Sequence, residues 1–182
     1  MTCIVALEHN GKVYMGGDSA AVSGRDTRII DSKKVFKLGP FLIGYTDSFR
    51  MGQLLQYNLV VEEQEYLHIE DDEEYLIKVF IPAVRKCLKD GGYAEINNNI
   101  ESGGSFLLGY KGKVYIIQSD FLLLRYKNVY NAIGCGDRYA LGCLATNYFR
   151  EDEPEERILQ ALEVASKFSN GVAPPYYVEK ED

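Results

Sequence analysis

The dipeptide Asn10-Gly11, set between two apolar runs, constrains the fold of this 182-residue chain more than any other short feature. Both residue types tolerate positive φ, and Asn-Gly between strand-like segments is a strong signal for a β-hairpin. Two registers are open. A two-residue turn places Cys3 opposite Asp18, whereas a three-residue turn places Thr2 opposite Asp18. Either register brings the Asp18 carboxylate beside the start of the chain.

Thr2 follows the initiator methionine and opens an apolar strand. Initiator methionines are usually removed when the next residue is small. Removal here would leave a hydroxyl and a free α-amine on one residue, which are a nucleophile and a general base within reach of each other. The ordinary pKa of an α-amine, about 8, suits it to accept a proton near neutral pH. Many cytosolic proteins also begin Met-Thr, so the residues around Thr2 decide whether it is a candidate nucleophile.

Asp18 and Lys34 are the candidate neighbours of Thr2. Asp18 ends an otherwise apolar strand, where it either makes an Asx turn or needs a cationic partner. Lys34 and Lys37 lie on opposite faces of an alternating strand, so one of them must face apolar neighbours. Most lysines in such patterns reach outward to solvent. If Lys34 instead points inward beside Asp18, its ammonium lowers the pKa of the Thr2 hydroxyl.

The order and spacing of Thr2, Gly-Asp at 17–18 and Lys-Lys-Val at 33–35 resemble a known family. They are similar to the N-terminal-nucleophile hydrolases of the proteasome β-subunit superfamily, nearest to the bacterial ATP-dependent ring peptidase of the HslV type. Residues 132–140, Ala-Ile-Gly-Cys-Gly-Asp-Arg-Tyr-Ala, resemble the Gly-Ser-Gly segment that leads into a helix in that family. The resemblance covers nearly the whole chain. It implies that Thr2 is the nucleophile and that Asp18 and Lys34 are its catalytic partners.

The sequence departs from the family pattern at several positions: residues 19–22 lack the arginine and threonine common in the family, and three further departures concern the predicted site. Cys135 stands where the family has a serine, and Ser169 stands where many proteasome subunits have an aspartate; both are expected to support the nucleophile. A thiol is a weaker hydrogen-bond donor than a hydroxyl. Asp47 falls where the family usually has the glycine whose N–H binds the oxyanion. Its backbone N–H is still able to donate, but its carboxylate is unfavourable there unless the side chain turns away.

Periodicity predicts an α+β chain that forms a single domain over residues 1–182. The expected strands are near 2–8, 12–18, 34–38, 41–45, 106–110, 113–119, 122–126, 129–133 and 176–178. The expected helices are 48–61, 71–89, 137–148 and 154–168, with 91–104 as a polar loop. This order allows several arrangements. The resemblance selects a four-layer αββα sandwich, in which two antiparallel sheets are covered by helices.

Composition excludes several classes of protein. The net charge of −7 argues against nonspecific nucleic-acid binding, and no apolar run reaches the length of a membrane span. The start lacks the features of a secretory signal, and the cysteines lack metal-type or disulfide-framework spacing, so a cytoplasmic protein with reduced thiols is expected. The four cysteines are Cys3, Cys87, Cys135 and Cys143. Neither His9 nor His68 lies in a metal or Ser-His pattern. Burial is the expected role of Cys3.

The favoured function is that of a threonine-type endopeptidase, which hydrolyses peptide bonds through an acyl-enzyme on Thr2. This chemistry requires no cofactor. The resemblance implies that a monovalent cation such as Na⁺ is able to bind backbone carbonyls around Ser166, Ser169 and Val172. Two alternatives stay open: a small-molecule amidase or acylase that uses the same chemistry, and a non-catalytic ring subunit.

The resemblance also implies partners. We expect a homo-oligomeric ring, a double hexamer or double heptamer, that hides the nucleophile from other proteins. Peptides or unfolded proteins would be its substrates. The chain has no Gly-x-x-x-x-Gly-Lys motif, so a separate ATPase would unfold them.

Overall fold

The computed structural model describes residues 1–147 and 153–182. Two antiparallel sheets dominate it. The first consists, in spatial order, of β12 (Tyr130–Gly134), β1 (Cys3–His9), β2 (Lys12–Gly17) and β13 (Tyr177–Lys180). The second consists of β11 (Leu123–Leu124), β10 (Lys113–Ile117), β9 (Phe106–Tyr110), β6 (Phe41–Tyr45) and β5 (Val35–Leu38). Two separate hairpins are β3 (Ala20–Ser23) with β4 (Asp26–Ile29) and β7 (Glu95–Asn97) with β8 (Ile100–Ser102).

The helices form two groups along the chain. The first group is α1 (Phe49–Tyr57), α2 (Gln64–Leu67), α3 (Asp72–Tyr75), a π-helical turn (Leu76–Phe80) and α4 (Ile81–Asp90). The second group is α5 (Asp137–Asn147) and α6 (Pro154–Phe168). Tyr148, which ends the predicted helix 137–148, lies outside the described residues.

Strand β1 is buried at every position from Cys3 to Leu7, as its apolar sequence predicts. Alternate residues of β1 pack in different hydrophobic clusters. Ile4 and Ala6 pack between the two sheets, whereas Cys3, Val5 and Leu7 pack toward α5 and α6. Each fully buried aliphatic side chain contributes about 1.5–3 kcal/mol. The strand that begins at Thr2 is therefore held from both faces.

Three buried clusters join the sheets and helices. Between the sheets, Met15 packs in one cluster with residues of the second sheet such as Leu42. Helices α5 and α6 pack on the first sheet, and α1 and α4 pack on the second through residues such as Leu54 and Val84. The chain is thus a mixed α/β protein with antiparallel sheets and helices, as the periodicity predicts.

Some predicted elements differ from the structure. The polar stretch 91–104 contains the hairpin β7–β8, and the hairpin β3–β4 was not expected from the sequence. The predicted strand 122–126 shrinks to β11. The predicted helix 71–89 contains the π-helical turn because Pro82 has no N–H and its ring crowds the carbonyl one turn earlier. Ile81 N–H accordingly donates to the Leu76 carbonyl, five residues back.

The strand order places four chain segments at one end of the two sheets. β1 begins there and β2 ends there, since Ile4 pairs with Gly17. β6 ends nearby at Tyr45, whose N–H donates to the Lys34 carbonyl at 3.0 Å. β12 ends beside β1, with Gly134 opposite Cys3. Within the described ranges, no helix has the length and apolar character needed to cross a membrane.

Candidate active site

The β1–β2 hairpin has the shorter of the two predicted turns. His9 pairs with Lys12 across a two-residue turn in which Asn10 and Gly11 both have positive φ. The three-residue alternative is wrong. Continuing the observed register places Cys3 opposite Asp18, and the prediction that Asp18 lies beside the chain start is confirmed.

The Asp18 carboxylate is buried, with 1% of the residue exposed, and is surrounded by donors. It accepts hydrogen bonds from Cys3 N at 3.0 Å, Ala20 N at 2.8 Å, Ala173 N at 3.4 Å and Lys34 Nζ at 3.0 Å. Each oxygen has at least two partners. Because the charge is matched by one ammonium and three backbone N–H groups, the carboxylate is held in a single orientation.

Lys34, directly before β5, is buried with 2% exposure, whereas Lys37 within β5 is exposed. Its ammonium donates to Thr2 Oγ1, to Asp18 Oδ1 and to the Ala20 carbonyl at 2.7 Å. All three ammonium protons are therefore used. Burial lowers the pKa of Lys34 from its ordinary value, and the Asp18 charge opposes that shift. The structure thus brings Thr2, Asp18 and Lys34 together.

Thr2 is 3% exposed, and its carbonyl as well as its hydroxyl is held. Gly134 has φ +100°, and a Cβ at this position would collide with the Thr2 carbonyl oxygen. Glycine is therefore required here for close backbone approach as well as for φ. Met1 precedes Thr2 in the sequence, so the Thr2 nitrogen is a peptide amide until Met1 is removed.

Cys135 and Ser169 form a short relay to the same carbonyl. Ser169 Oγ lies 3.2 Å from Cys135 Sγ and is placed to donate to it, and Cys135 Sγ donates to Thr2 O at 3.4 Å. The structure thus places the Cys135 thiol against the Thr2 carbonyl and the Ser169 hydroxyl against the thiol. A thiol donor binds a carbonyl more weakly than a hydroxyl donor does.

Cys3 is placed for packing. It has no exposed surface, and burial raises the pKa of its thiol, with the Asp18 charge adding to the shift. A thiol that resists ionisation is a poor nucleophile. Of the two neighbouring residues at the start of β1, the structure favours Thr2 for chemistry.

Asp47 has φ +61°, the left-handed conformation in which a glycine is most easily accommodated. Asp is among the few other residues that tolerate it. Its carboxylate accepts the Ser105 N–H at 3.0 Å, so one oxygen is engaged by the backbone of a neighbouring segment. Among the described residues, no acceptor is bonded to Asp47 N–H. Thr2 and Asp47 both line a cavity of about 330 Å³.

Several site groups leave no readable signal in the sequence. The Ala20 carbonyl and the Ala173 N–H are backbone groups, which any residue supplies. Phe49, whose ring centroid lies 5.9 Å from Lys34 Nζ, is the first residue of α1 and is expected from its position only as a helix residue. The Gly-Cys-Gly segment was noted in the sequence, but the contact of Gly134 with Thr2 emerges only in three dimensions.

No group of three or more His, Cys, Asp or Glu side chains in the described ranges is arranged to hold a metal ion. The backbone carbonyls expected for a monovalent cation lie at the end of α6 and just beyond it. The Ser169 carbonyl there accepts the Val172 N–H at 3.3 Å.

No family model and no curated protein matches the sequence. Solved structures do match the fold. The structure of BPH from Thiobacillus denitrificans in complex with epoxomicin has a TM-score of 0.80 at 14% identity, over 100% of this chain and 98% of that chain. HslV from Trypanosoma brucei has a TM-score of 0.71 at 15% identity, over 100% of both chains.

A third match is Anbu, an ancestral β-subunit, from Yersinia bercovieri. Its TM-score is 0.66 at 12% identity, over 99% of this chain and 81% of that chain. These matches show that the chain has the fold of HslV and proteasome-like N-terminal-nucleophile hydrolases. The fold resemblance drawn from the sequence is confirmed.

Proposed function

We propose that this protein is a threonine-type peptidase whose nucleophile is the Thr2 hydroxyl, exposed as a terminal residue by removal of Met1. One observation carries the proposal: the buried Lys34 ammonium donates at once to Thr2 Oγ1 and to Asp18. The hydroxyl and the carboxylate are thus joined through one buried cation, which is the arrangement that lowers the pKa of a hydroxyl. The fold shared with HslV and BPH supports the same assignment.

The reaction begins with attack of Thr2 Oγ on a substrate carbonyl carbon. The free α-amine of Thr2 takes the hydroxyl proton, directly or through a water. Lys34 stabilises the developing alkoxide, and Asp18 holds Lys34 in place. Asp47 N–H donates to the oxyanion of the tetrahedral intermediate. The C–N bond then breaks and the amine leaves with the proton, after which water hydrolyses the ester and restores Thr2.

We further propose the assembly and setting that the sequence predicts. The two sheets with helices packed on each support a four-layer αββα sandwich in a single domain. The fold shared with HslV supports self-association into a ring that works with a separate ATPase and takes peptides or unfolded proteins. The four free cysteines suit the cytoplasm. A monovalent cation at the carbonyls around Ser166, Ser169 and Val172 stays a proposal, and no step of the reaction uses it.

A non-catalytic subunit is the second candidate, because Asp47 and Cys135 replace residues of the family pattern. The contacts of both side chains favour activity. The Asp47 carboxylate is bonded to Ser105, and Cys135 still donates to the Thr2 carbonyl. An amidase would share every step of the chemistry and would differ in substrate size and assembly.

The decisive experiment combines intact mass with hydrolysis. Mass spectrometry of the purified protein is expected to show the chain without Met1. Fluorogenic peptides are expected to be cleaved by the wild type and not by Thr2→Ala, with a loss of at least about 10⁴-fold. Circular dichroism of the variant should match the wild type. Equal hydrolysis by both proteins would overturn the proposal, and a fully retained Met1 would remove its general base.

Labelling and mass in solution separate the candidates. Epoxomicin, the compound in the matching BPH complex, is expected to add covalently to the wild type and not to Thr2→Ala. Absence of labelling together with absence of hydrolysis would favour the non-catalytic subunit. Light scattering is expected to show a closed ring. A monomer that hydrolyses small amides would favour the amidase.

A further inference from the structure

The segment that joins α6 to β13 runs beside the candidate active site. It consists of residues 169–176, and we call it the strap. At its start, Ser169 is linked to the Thr2 carbonyl through one thiol. Further along, the Ala173 N–H donates to Asp18 Oδ2 at 3.4 Å. The strap therefore reaches the site at two points, and its position affects both the nucleophile and the carboxylate.

The backbone ladder between β13 and β2 stops at the strap. The last pair of the ladder is Tyr177 with Gly17, and continuing that register places Pro175 opposite Ser19. Pro174 and Pro175 have no N–H to donate. The strap therefore needs other hydrogen bonds to hold it against the chain that follows β2.

Ser19 binds the strap with its side chain as well as its backbone. Its hydroxyl donates to the Pro175 carbonyl at 2.6 Å, and its N–H donates to the Ala173 carbonyl at 2.9 Å. Its own carbonyl accepts the N–H of Ile30, just after β4, at 2.9 Å. The residue has no exposed surface. Every polar group of Ser19 is thus engaged, and two of the three hold the strap.

Ser19 also lies between two residues that contact the Lys34 ammonium. Asp18 precedes it and accepts that ammonium at Oδ1, and Ala20 follows it and accepts the ammonium at its carbonyl. The Ala20 N–H donates to Asp18 Oδ2 at 2.8 Å, and Ala173 N–H donates to the same oxygen. A shift of the strap would therefore remove one of the two donors that fix this oxygen.

We propose that Ser19 is a positioning residue for the reaction: its hydroxyl fixes the strap, so that the Ala173 N–H stays on the Asp18 carboxylate. That carboxylate in turn orients Lys34. Ser19 is not among the described residues that line the Thr2 cavity, so it acts through the strap and not on the substrate. The inference rests on the proposed function for its catalytic meaning, but the hold on the strap is measurable without hydrolysis.

Ser19→Ala removes the hydroxyl and leaves the N–H and carbonyl of residue 19 unchanged. Tyr75→Phe is the matched control. Tyr75 is 1% exposed, and its hydroxyl donates to a backbone carbonyl, that of Glu62, at 2.7 Å. It lies in α3 and is not among the described residues that line the Thr2 cavity. Both variants lose one hydroxyl-to-carbonyl hydrogen bond, so similar decreases in the urea midpoint are expected.

Hydrogen exchange with mass spectrometry measures the hold on the strap. The two prolines carry no amide hydrogen, so a peptide covering 169–176 reports mainly on residues 170–173. In Ser19→Ala this peptide is expected to exchange at least about tenfold faster than in the wild type. A peptide covering β9 should keep its rate, and Tyr75→Phe should leave the exchange of the strap unchanged.

Kinetics with a fluorogenic peptide test the catalytic part of the proposal. Ser19→Ala is expected to lower kcat about tenfold and to change KM by less than about twofold, because the groups that lose their position act on the nucleophile and not on bound substrate. Tyr75→Phe is expected to change both constants by less than about twofold, since its lost bond lies outside the site. A purely structural role of Ser19 would give the two variants the same kinetics.

The outcomes separate the two proposals. Unchanged exchange of the strap in Ser19→Ala, or faster exchange with unchanged kcat, overturns the role of Ser19 and leaves the peptidase intact. Equal losses of kcat in Ser19→Ala and Tyr75→Phe overturn it as well. Faster exchange of the strap in Ser19→Ala alone supports the hold of Ser19 on the strap even if the wild type hydrolyses no peptide, a result that would count against the peptidase alone.

Discussion

Strand β2 has a carboxylate withdrawn from solvent at each end, and the two carboxylates differ in their partners. Asp18, at one end, accepts three backbone N–H groups and the Lys34 ammonium. Glu181, at the other end, accepts Val13 N–H and Gly112 N–H on Oε2, both at 2.9 Å. Its Oε1 is buried and has no partner among the described residues.

The difference lies in the groups that each carboxylate holds. Glu181 joins the β1–β2 turn to the β9–β10 turn, and burial raises the pKa of its carboxyl. Asp18 joins backbone segments as well, but it also holds a cation against a hydroxyl. A structural carboxylate can tolerate an unpaired oxygen, whereas the carboxylate at the candidate active site has every oxygen engaged.

The largest difference in hydrolysis is expected between replacement of Lys34, at the Asp18 end, and replacement of Lys37, at the Glu181 end. Lys34→Met removes the cation from Thr2 and is expected to lower kcat/KM at least about 1,000-fold. It also leaves Asp18 buried without a cation, so the free energy of unfolding should fall by about 3–5 kcal/mol. Peptide hydrolysis and urea unfolding measure the two effects.

Lys37→Met is the control for that variant. Lys37 is exposed and, among the described residues, pairs with the carboxylate of Asp182 alone, so its loss should change hydrolysis less than about twofold. A folded Lys34→Met protein with wild-type hydrolysis would show that the buried ammonium is structural, as the Glu181 contacts are.

Asp18→Asn and Glu181→Gln test the carboxylates directly. Asp18→Asn keeps the size of the side chain but removes the charge that holds Lys34, and is expected to reduce kcat/KM about 100-fold. Glu181→Gln should leave hydrolysis unchanged because its contacts lie at the far end of β2. Similar losses in both variants would mean that the carboxylates act on stability alone, which urea unfolding of the two proteins would reveal.

Two glycines with positive φ offer a smaller and purely conformational comparison. Gly134→Ala carries the cost of φ +100° and a collision with the Thr2 carbonyl oxygen, so about 2–4 kcal/mol of destabilisation is expected. At Gly11, with φ +74° and open space around it, alanine should cost about 1–2 kcal/mol. Urea unfolding with unchanged m-values measures the difference, and equal costs would argue against the collision.

The smallest expected effect is a pH dependence of stability at the Glu181 end. Because burial raises the folded pKa of Glu181 above its ordinary value of 4.5, the folded state binds the proton more tightly than the unfolded state does. The contribution of Glu181 to stability therefore falls as pH rises from about 4.5 through the raised pKa. Thermal unfolding should show wild type gaining on Glu181→Gln as pH falls through that window. A pH-independent difference would contradict the raised pKa.

The sequence predicted those parts of the fold that depend on local signals. Helix 154–168 and strand 106–110 have the predicted bounds, because Pro154 suits a helix start and the strand is a short apolar run before a Lys-Gly turn. The hairpin β3–β4 was missed since its second strand is fully exposed and has no apolar face. The π-helical turn was not predicted, because its position depends on which carbonyl the Pro82 ring crowds.

The candidate site also contains residues that local sequence signals place correctly and residues that they do not. Thr2 and Asp18 are brought together by one tight turn, so the spacing of the sequence was sufficient to place them. The inward direction of Lys34 was one of two readings that alternation allowed. The engagement of the Asp47 carboxylate by Ser105 joins residues 58 positions apart, and no local pattern predicts it.

By itself, then, the sequence determined which chemical groups are present and which of them a short hairpin must place side by side, because turn geometry acts between near neighbours in the chain. Only the tertiary structure decided that Lys34 rather than Lys37 is buried, that Gly134 lies against the Thr2 carbonyl and that the Asp47 carboxylate accepts the Ser105 N–H. Each of these depends on how two sheets pack against one another. Packing is a property of surfaces assembled from distant segments, and a pattern of alternating residues leaves its outcome open.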